Sequence, residues 1–304
     1  MLKIRQINAE NRWISVCKPT IKEQHELVTK YHVSDEMLEY AIDPYEKARV
    51  ETDEKRGITL LIFDVYVPTD EIPAPQTAPI GIMLTEKDLL VFTNEETMFV
   101  NQMAEQTLEA VELEYGNKLD FALMLMYRLS VEYLEPLHMI DVKRQRLQNK
   151  ILQRTGRRVI NESMEIDTNL VYILTSLRGN VSLLMEFDRI YGHSMTDQQA
   201  DYLDDIIVEA QQGLEMAQMI SEVVERVSDA YGKVLDSDLN QTMKVLTVFS
   251  IVLSIPTIVS GFYGENVHHL PFADSPYAWQ ITVGIAVLLM IVTLVIVLNR
   301  RWYH

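Results

Sequence analysis

The stretch Met243–Asn266, MKVLTVFSIVLSIPTIVSGFYGEN, constrains this chain more than any other. From Val245 to Tyr263, 19 residues, no side chain is charged. At about 1.5 Å per residue, a helix of that length crosses the hydrocarbon core of a bilayer. Thr247, Ser250, Ser254, Thr257 and Gly261 recur at intervals of three and four. That spacing gathers hydroxyls and a glycine on one helical face and leaves Val, Leu, Ile and Phe on the other. A polar stripe on a membrane helix faces neighbouring helices or water. The pattern predicts a spanning helix with one specialised face, ended abruptly at Gly261-Phe262-Tyr263-Gly264-Glu265-Asn266.

A second span, Ala278–Leu298, follows after a short loop; its 21 residues are uncharged and mostly aliphatic. Trp279 and Trp302 sit near its ends, as residues of an aromatic belt do. Two spans put both termini on one side. Lys244, Arg300 and Arg301 flank the inner ends, whereas Gly264–Tyr277 has neither Lys nor Arg. The positive-inside rule therefore places the large preceding part and both termini in the cytoplasm of a multi-pass cell (inner or plasma) membrane protein.

The rest is expected to be an α+β cytoplasmic domain over 1–116 and a long-helix stalk over 117–242, with 243–304 the transmembrane domain (spans about 245–263 and 278–298). Lys3–Ile7 and Trp13–Val16 read as strands, Thr20–Tyr31 and Ser34–Ile42 as helices capped by their first residue. Gly57–Val67 is β-rich, Pro68–Pro79 with its four prolines reads as a loop, and Ile80–Met83 and Leu89–Thr93 read as strands. One helix is predicted over Lys118–Arg154, another over Asn161–Tyr191. A third opens at the Thr196-Asp197 cap and carries an apolar seam of Leu203, Ile207, Ala210, Leu214, Ala217, Val224, Val227, Tyr231 and Leu235. If unbroken to Tyr263, it is on the order of 100 Å long.

Among function classes, the net charge of −17 argues against nucleic acid and for cations. The single cysteine, Cys17, excludes an intramolecular disulfide framework. Met1–Arg12 is polar, so no signal peptide is expected. No phosphate loop, paired-His motif or nucleophile elbow occurs, so no catalytic residues are assigned and no enzyme is expected.

The C-terminal part resembles the CorA family of magnesium channels, the two-span class with a Gly-x-Asn signature. The residues carrying the resemblance are Asn240, Met243-Lys244-Val245-Leu246-Thr247, Pro256-Thr257 and Gly261-Phe262-Tyr263-Gly264-Glu265-Asn266. The layout matches over the whole chain, with weaker matches at Trp13-Ile14-Ser15-Val16 and Arg49-Val50-Glu51. The resemblance implies a funnel-shaped homopentamer in the lipid bilayer, its pore lined by five copies of the first span. It implies a selectivity mouth of Tyr263, Gly264, Glu265 and Asn266. Asn266 there would hydrogen-bond the hydration shell of magnesium without stripping it. Down the pore the matching positions are Gly261, Thr257, Ser254, Ser250, Leu246, Met243 and Asn240, with Leu246 and Met243 an apolar constriction. Magnesium is implied both as transported ion and as regulator, sensed between subunits at Asp205 and Asp229.

Three positions depart from the family pattern. Tyr40 replaces the acid of a Leu-Glu-Asp-Ile motif, here Leu38-Glu39-Tyr40-Ala41, which leaves Glu39 and brings in Asp204 as a substitute sensor. Ser254 replaces a bulky apolar residue. Glu265 replaces the usual Met, placing five carboxylates around one mouth. The expected function is magnesium uptake down the membrane potential. One rival keeps transport but carries zinc, cobalt or nickel, suggested by His268 and His269. The other is a non-conducting membrane-anchored scaffold or sensor, which has no need of the hydroxyl stripe.

Overall fold

A computed structural model describes residues 2–68, 76–110, 116–151, 157–265, 270–272 and 275–299. Asn266, His268, His269, Arg300, Arg301 and Trp302 lie outside the described residues. The chain divides into two compact units, Met1–Ser228 and Asp229–His304.

The first unit is built on a six-stranded sheet. Its strands are β1 (Leu2–Gln6), β2 (Arg12–Cys17), β3 (Arg49–Asp53), β4 (Ile58–Val67), β5 (Gln76–Leu84) and β6 (Asp88–Thr93), ordered β1-β2-β6-β5-β4-β3. Only β2 and β6 pair in parallel; every other neighbour is antiparallel. Alternation along the strands feeds two cores. Trp13, Leu61, Phe63, Ile82 and Val91 face one side, and Ile14, Leu60, Ile62, Met83 and Leu90 the other. The second face is covered by α1 (Ile21–Lys30) and α2 (Asp35–Ile42). Thr20 and Glu23 form a capping box at the start of α1, and the Ser34 hydroxyl accepts the Met37 N–H at the start of α2.

The first face is covered by α3 (Phe99–Ala110), α4 (Lys118–Val131), α6 (Arg157–Tyr191) and the first part of α7 (Asp197–Tyr263). Between α4 and α6 lies α5 (Leu134–Ile151). The expected single helix from Lys118 is thus two, broken at Glu132-Tyr133. Tyr133 is fully buried there, and its hydroxyl donates to the Asp64 carbonyl at 3.0 Å and hydrogen-bonds Ser176. Pro136 falls in the first turn of α5, where a missing N–H costs nothing.

The expected loop at Pro68–Pro79 is corrected at its far end, because Gln76–Pro79 belongs to β5. Pro79 lies opposite Asp64. The Asp64 N–H donates to Asn180 Oδ1 at 2.9 Å, and its carbonyl accepts from Asn180 Nδ2 at 2.8 Å. Both main-chain groups of Asp64 therefore point away from β5. Asp64–Pro79 is a non-hydrogen-bonded pair, and the proline removes no rung. Gly179 lets α6 come this close: a Cβ there would lie 2.9 Å from that of Ala48. Burial without a cationic partner raises the Asp64 carboxyl to about 6, against a weaker opposing hydrogen bond from Ser176.

The α7 helix begins as expected: the Thr196 hydroxyl accepts the Gln199 N–H, and Gln199 Oε1 accepts the Thr196 N–H. Its buried seam is Leu203, Ile206, Ala210, Gly213, Ala217, Ile220, Val224 and Tyr231. Ile220 fills the seven-residue gap in the expected seam, while Ile207, Leu214 and Val227 are half-buried flanks and Leu235 is exposed. Apart from the flanking Val227 step between Val224 and Tyr231, the spacing is three and four throughout, the period of helices packed side by side.

In the second unit, the end of α7 packs against α8 (Ala278–Asn299). Both helices are long and apolar enough to cross a membrane. Val248, Val252, Ile255, Pro256, Val259 and Tyr263 are the shielded positions along the end of α7. Pro256, inside the helix, has no N–H to give the Val252 carbonyl.

Candidate functional site

The hydroxyl stripe occupies the uncovered side of α7. Thr247, Ser250, Ser254, Thr257 and Gly261 are all exposed, while the shielded positions lie between them in sequence and around the helix from them. Every hydroxyl donates to a carbonyl of its own helix. Thr247 bonds Met243 at 2.8 Å, Ser250 bonds Leu246 at 2.8 Å, Ser254 bonds Ile251 at 2.8 Å and Thr257 bonds Leu253 at 3.4 Å. Back-bonding of this kind spends the proton and leaves the oxygen lone pairs directed outward. The face therefore offers acceptors, the chemistry that suits a cation or the hydrogens of its hydration waters. Gly261 adds room: a Cβ there would meet nothing within 4 Å, so no contact within this chain demands glycine.

Below the stripe, Leu246, Met243 and Asn240 are also exposed. Above it, the helix ends where the Gly264 N–H bonds the Gly261 carbonyl at 3.1 Å. A Cβ on Gly264 would lie 3.1 Å from the Ser260 carbonyl, so a side chain there would crowd the last turn. Tyr263 is half-buried and stacks edge-on to Phe262 at 6.0 Å; Glu265 is exposed. The fourth residue of the expected mouth, Asn266, lies outside the described residues.

The expected sensor acids lie apart from this stripe in sequence, Glu39 on another element and the other three earlier on the same helix. Glu39 is exposed on α2, and Asp204, Asp205 and Asp229 are exposed on α7, off its buried seam. Among the described residues, no group of three or more His, Cys, Asp or Glu is arranged to hold a metal. Tyr40, the departure beside Glu39, has a local role. Its hydroxyl bonds Glu36 at 2.9 Å, and the Arg49 guanidinium lies 4.3 Å from its ring centroid. Sequence reasoning missed β3, which carries Arg49 to this ring.

An α+β unit followed by two helices long and apolar enough to cross a membrane, the first 67 residues long and bearing an exposed acceptor stripe, fits a membrane protein of the ion-transporter class. The family model for CorA-like Mg2+ transporter proteins matches residues 8–301, and the chain belongs to that family. The cobalt/magnesium transport protein CorA of Methanocaldococcus jannaschii is 23% identical over 292 residues, covering 95% of this chain and 90% of that protein. The complete structure of that organism's CorA magnesium transporter superposes with a TM-score of 0.83 at 22% identity, over 97% of this chain and 92% of the other. The cobalt/magnesium transport protein CorA of Thermotoga maritima is 17% identical, covering 88% of this chain and 76% of that protein.

Proposed function

We propose that this protein conducts divalent cations, magnesium above all, across a cell membrane, along a path lined by the α7 hydroxyl stripe. The observation that carries this reading is that stripe: five exposed positions along the end of α7, four of them hydroxyls that each donate to a carbonyl of their own helix. A single helix face encloses nothing, so the path needs several copies; the reading is a homopentamer around a central axis. Leu246 and Met243 then form the narrow apolar ring, Asn240 the inner end, and Tyr263-Gly264-Glu265-Asn266 the outer mouth. With the large unit and both termini in the cytoplasm, the potential drives uptake: about 4.6 kcal/mol per 100 mV for two charges. Cytoplasmic magnesium closes the pore by binding the assembled state at Asp205 and Asp229, with Glu39 and Asp204 as further acids.

Support for magnesium comes from the family and from relatives named as cobalt/magnesium transporters. Those names also support a second reading in which cobalt, and with it nickel or zinc, shares the path. The test is cation entry into liposomes bearing the full-length protein, with each metal offered alone and in competition. Ser250→Leu with Thr257→Val is expected to cut magnesium flux more than tenfold while leaving the folded protein intact. Unchanged flux in that variant rules out the stripe as the path.

A further inference from the structure

The sheet holds a second site. β2 and β6 are parallel neighbours, and the chain leaves them toward opposite faces. After β2 it enters α1, whose Leu27 packs with Ile14 and Val16. After β6 it enters α3, whose Val100 and Ala104 pack with Trp13 and Val91. Diverging crossovers open a crevice at the carboxyl ends of the two strands, the place where open α/β sheets take ligands. A cavity of about 750 Å³ lies there, within the range of small-molecule sites. Its walls include Lys18 after β2, Asp43 and Tyr45 from the loop between α2 and β3, Pro79 of β5, Glu96 after β6, and Tyr172 of α6.

The chemistry of the walls selects the ligand. An anion finds little to hold it. The Lys18 ammonium is engaged by Glu95 at 2.6 Å, the Glu96 and Thr97 N–H groups donate to Asn94 Oδ1, and the start of α1 is capped by Thr20. A bare metal ion needs several converging oxygens, and no such group of three acids is present among the described residues. What remains is acidic and aromatic. Asp43 and Glu96 have no cationic partner among the described residues, and the rings of Tyr45 and Tyr172 are 90% and 51% exposed. Carboxylates and exposed tyrosines lining one cavity suit an ammonium group on an apolar stem, since aromatic rings attract organic cations.

We propose that this crevice binds a small organic polycation of the polyamine type. Its ammonium groups meet Asp43 and Glu96, and its methylene stem lies along Tyr45, Pro79 and Tyr172. The proposal does not depend on the α7 stripe.

The experiment uses full-length protein in detergent with spermidine as the probe, followed by hydrogen exchange and calorimetry. Spermidine is expected to slow exchange over 41–45 and 92–96, whereas sodium or magnesium chloride of equal ionic strength is not. Asp43→Asn combined with Tyr45→Ala is expected to weaken binding about tenfold with an unchanged melting temperature, since Tyr45 is almost wholly exposed. Equal affinity in that variant overturns the proposal and assigns the binding to the acidic surface at large. Equal protection by magnesium overturns it in favour of a metal site. A third arm carries Tyr45→Cys in a Cys17→Ser background. Failure of a soluble maleimide to label position 45 overturns the proposal in favour of a second copy, or a basic segment, covering the cavity.

Discussion

The two units treat the same kind of side chain in opposite ways. In the first, Phe63, Phe121, Leu184 and Phe187 are fully buried. In the second, Leu288, Leu289, Ile291 and Val295 are between 44% and 61% exposed, and among the described residues only Tyr231 and Val259 are buried. An interior excludes water by packing; a helix fit to span a membrane leaves that task to whatever surrounds it. Stability should therefore be local to the first unit, and function should respond to what surrounds the second.

The largest effect expected is on folding. Phe187→Ala should destabilise the first unit by about 3–5 kcal/mol, because it opens a cavity among residues that cannot close over it. Leu288→Ala should shift the same unfolding transition by less than about 0.5 kcal/mol. Denaturant titration of the detergent-solubilised protein measures both. Similar shifts from the two would break the comparison.

Next in size is the buried Asp64. Its folded-state value of about 6 lies above the unfolded value of 3.8, so the fold favours the protonated form. The stability this confers is complete below pH 3.8 and is lost as pH rises through 6. Asp64→Asn should therefore stabilise the first unit at pH 7.5 by about 2–3 kcal/mol relative to its effect at pH 3.5. Equal effects at both pH values would mean that the carboxyl is solvated.

Smaller again is the ligand-linked effect on α7. Asp205→Asn with Asp229→Asn should abolish magnesium-dependent protection from proteolysis without changing the melting temperature measured without magnesium, because both acids are exposed. Protection that survives in the double variant places regulation elsewhere.

The smallest effect concerns the outer mouth. On the homopentamer reading, repulsion among copies of Glu265 would oppose their attraction for entering cations, and at a wet entrance attraction should dominate. Glu265→Met should lower flux severalfold at low ionic strength. At 0.15 M, where screening shortens the field to about 8 Å, the difference should nearly vanish. Equal flux at both strengths leaves Asn266 alone to set the mouth.

Much of this architecture is legible in the chain because its signals are local. The caps at Thr20, Ser34 and Thr196 each act within three residues, and the uncharged run of α8 needs no context to be read. Part of what escaped notice depends on distant partners. Pro79 reads as a loop residue until Asn180, on a helix more than a hundred residues later, takes both main-chain groups of Asp64. The break at Glu132-Tyr133 has a local cause in Pro136, which can give no N–H to the Glu132 carbonyl, and Tyr133 is then held there by Asp64 and Ser176. β3 is only five residues long with three of them charged, as an edge strand can be, and so carries too little apolar character to stand out from a loop. At the stripe, the residues were legible but the direction of their protons was not.

That direction has a consequence for the sign of charge. A free hydroxyl is a rotor that can present either a proton or a lone pair, and it loses freedom when a ligand fixes it. Along α7 each rotor is already stopped by a carbonyl of the preceding turn. An arriving cation has no rotor to freeze, and an arriving anion finds no proton to meet without first breaking a bond inside the helix.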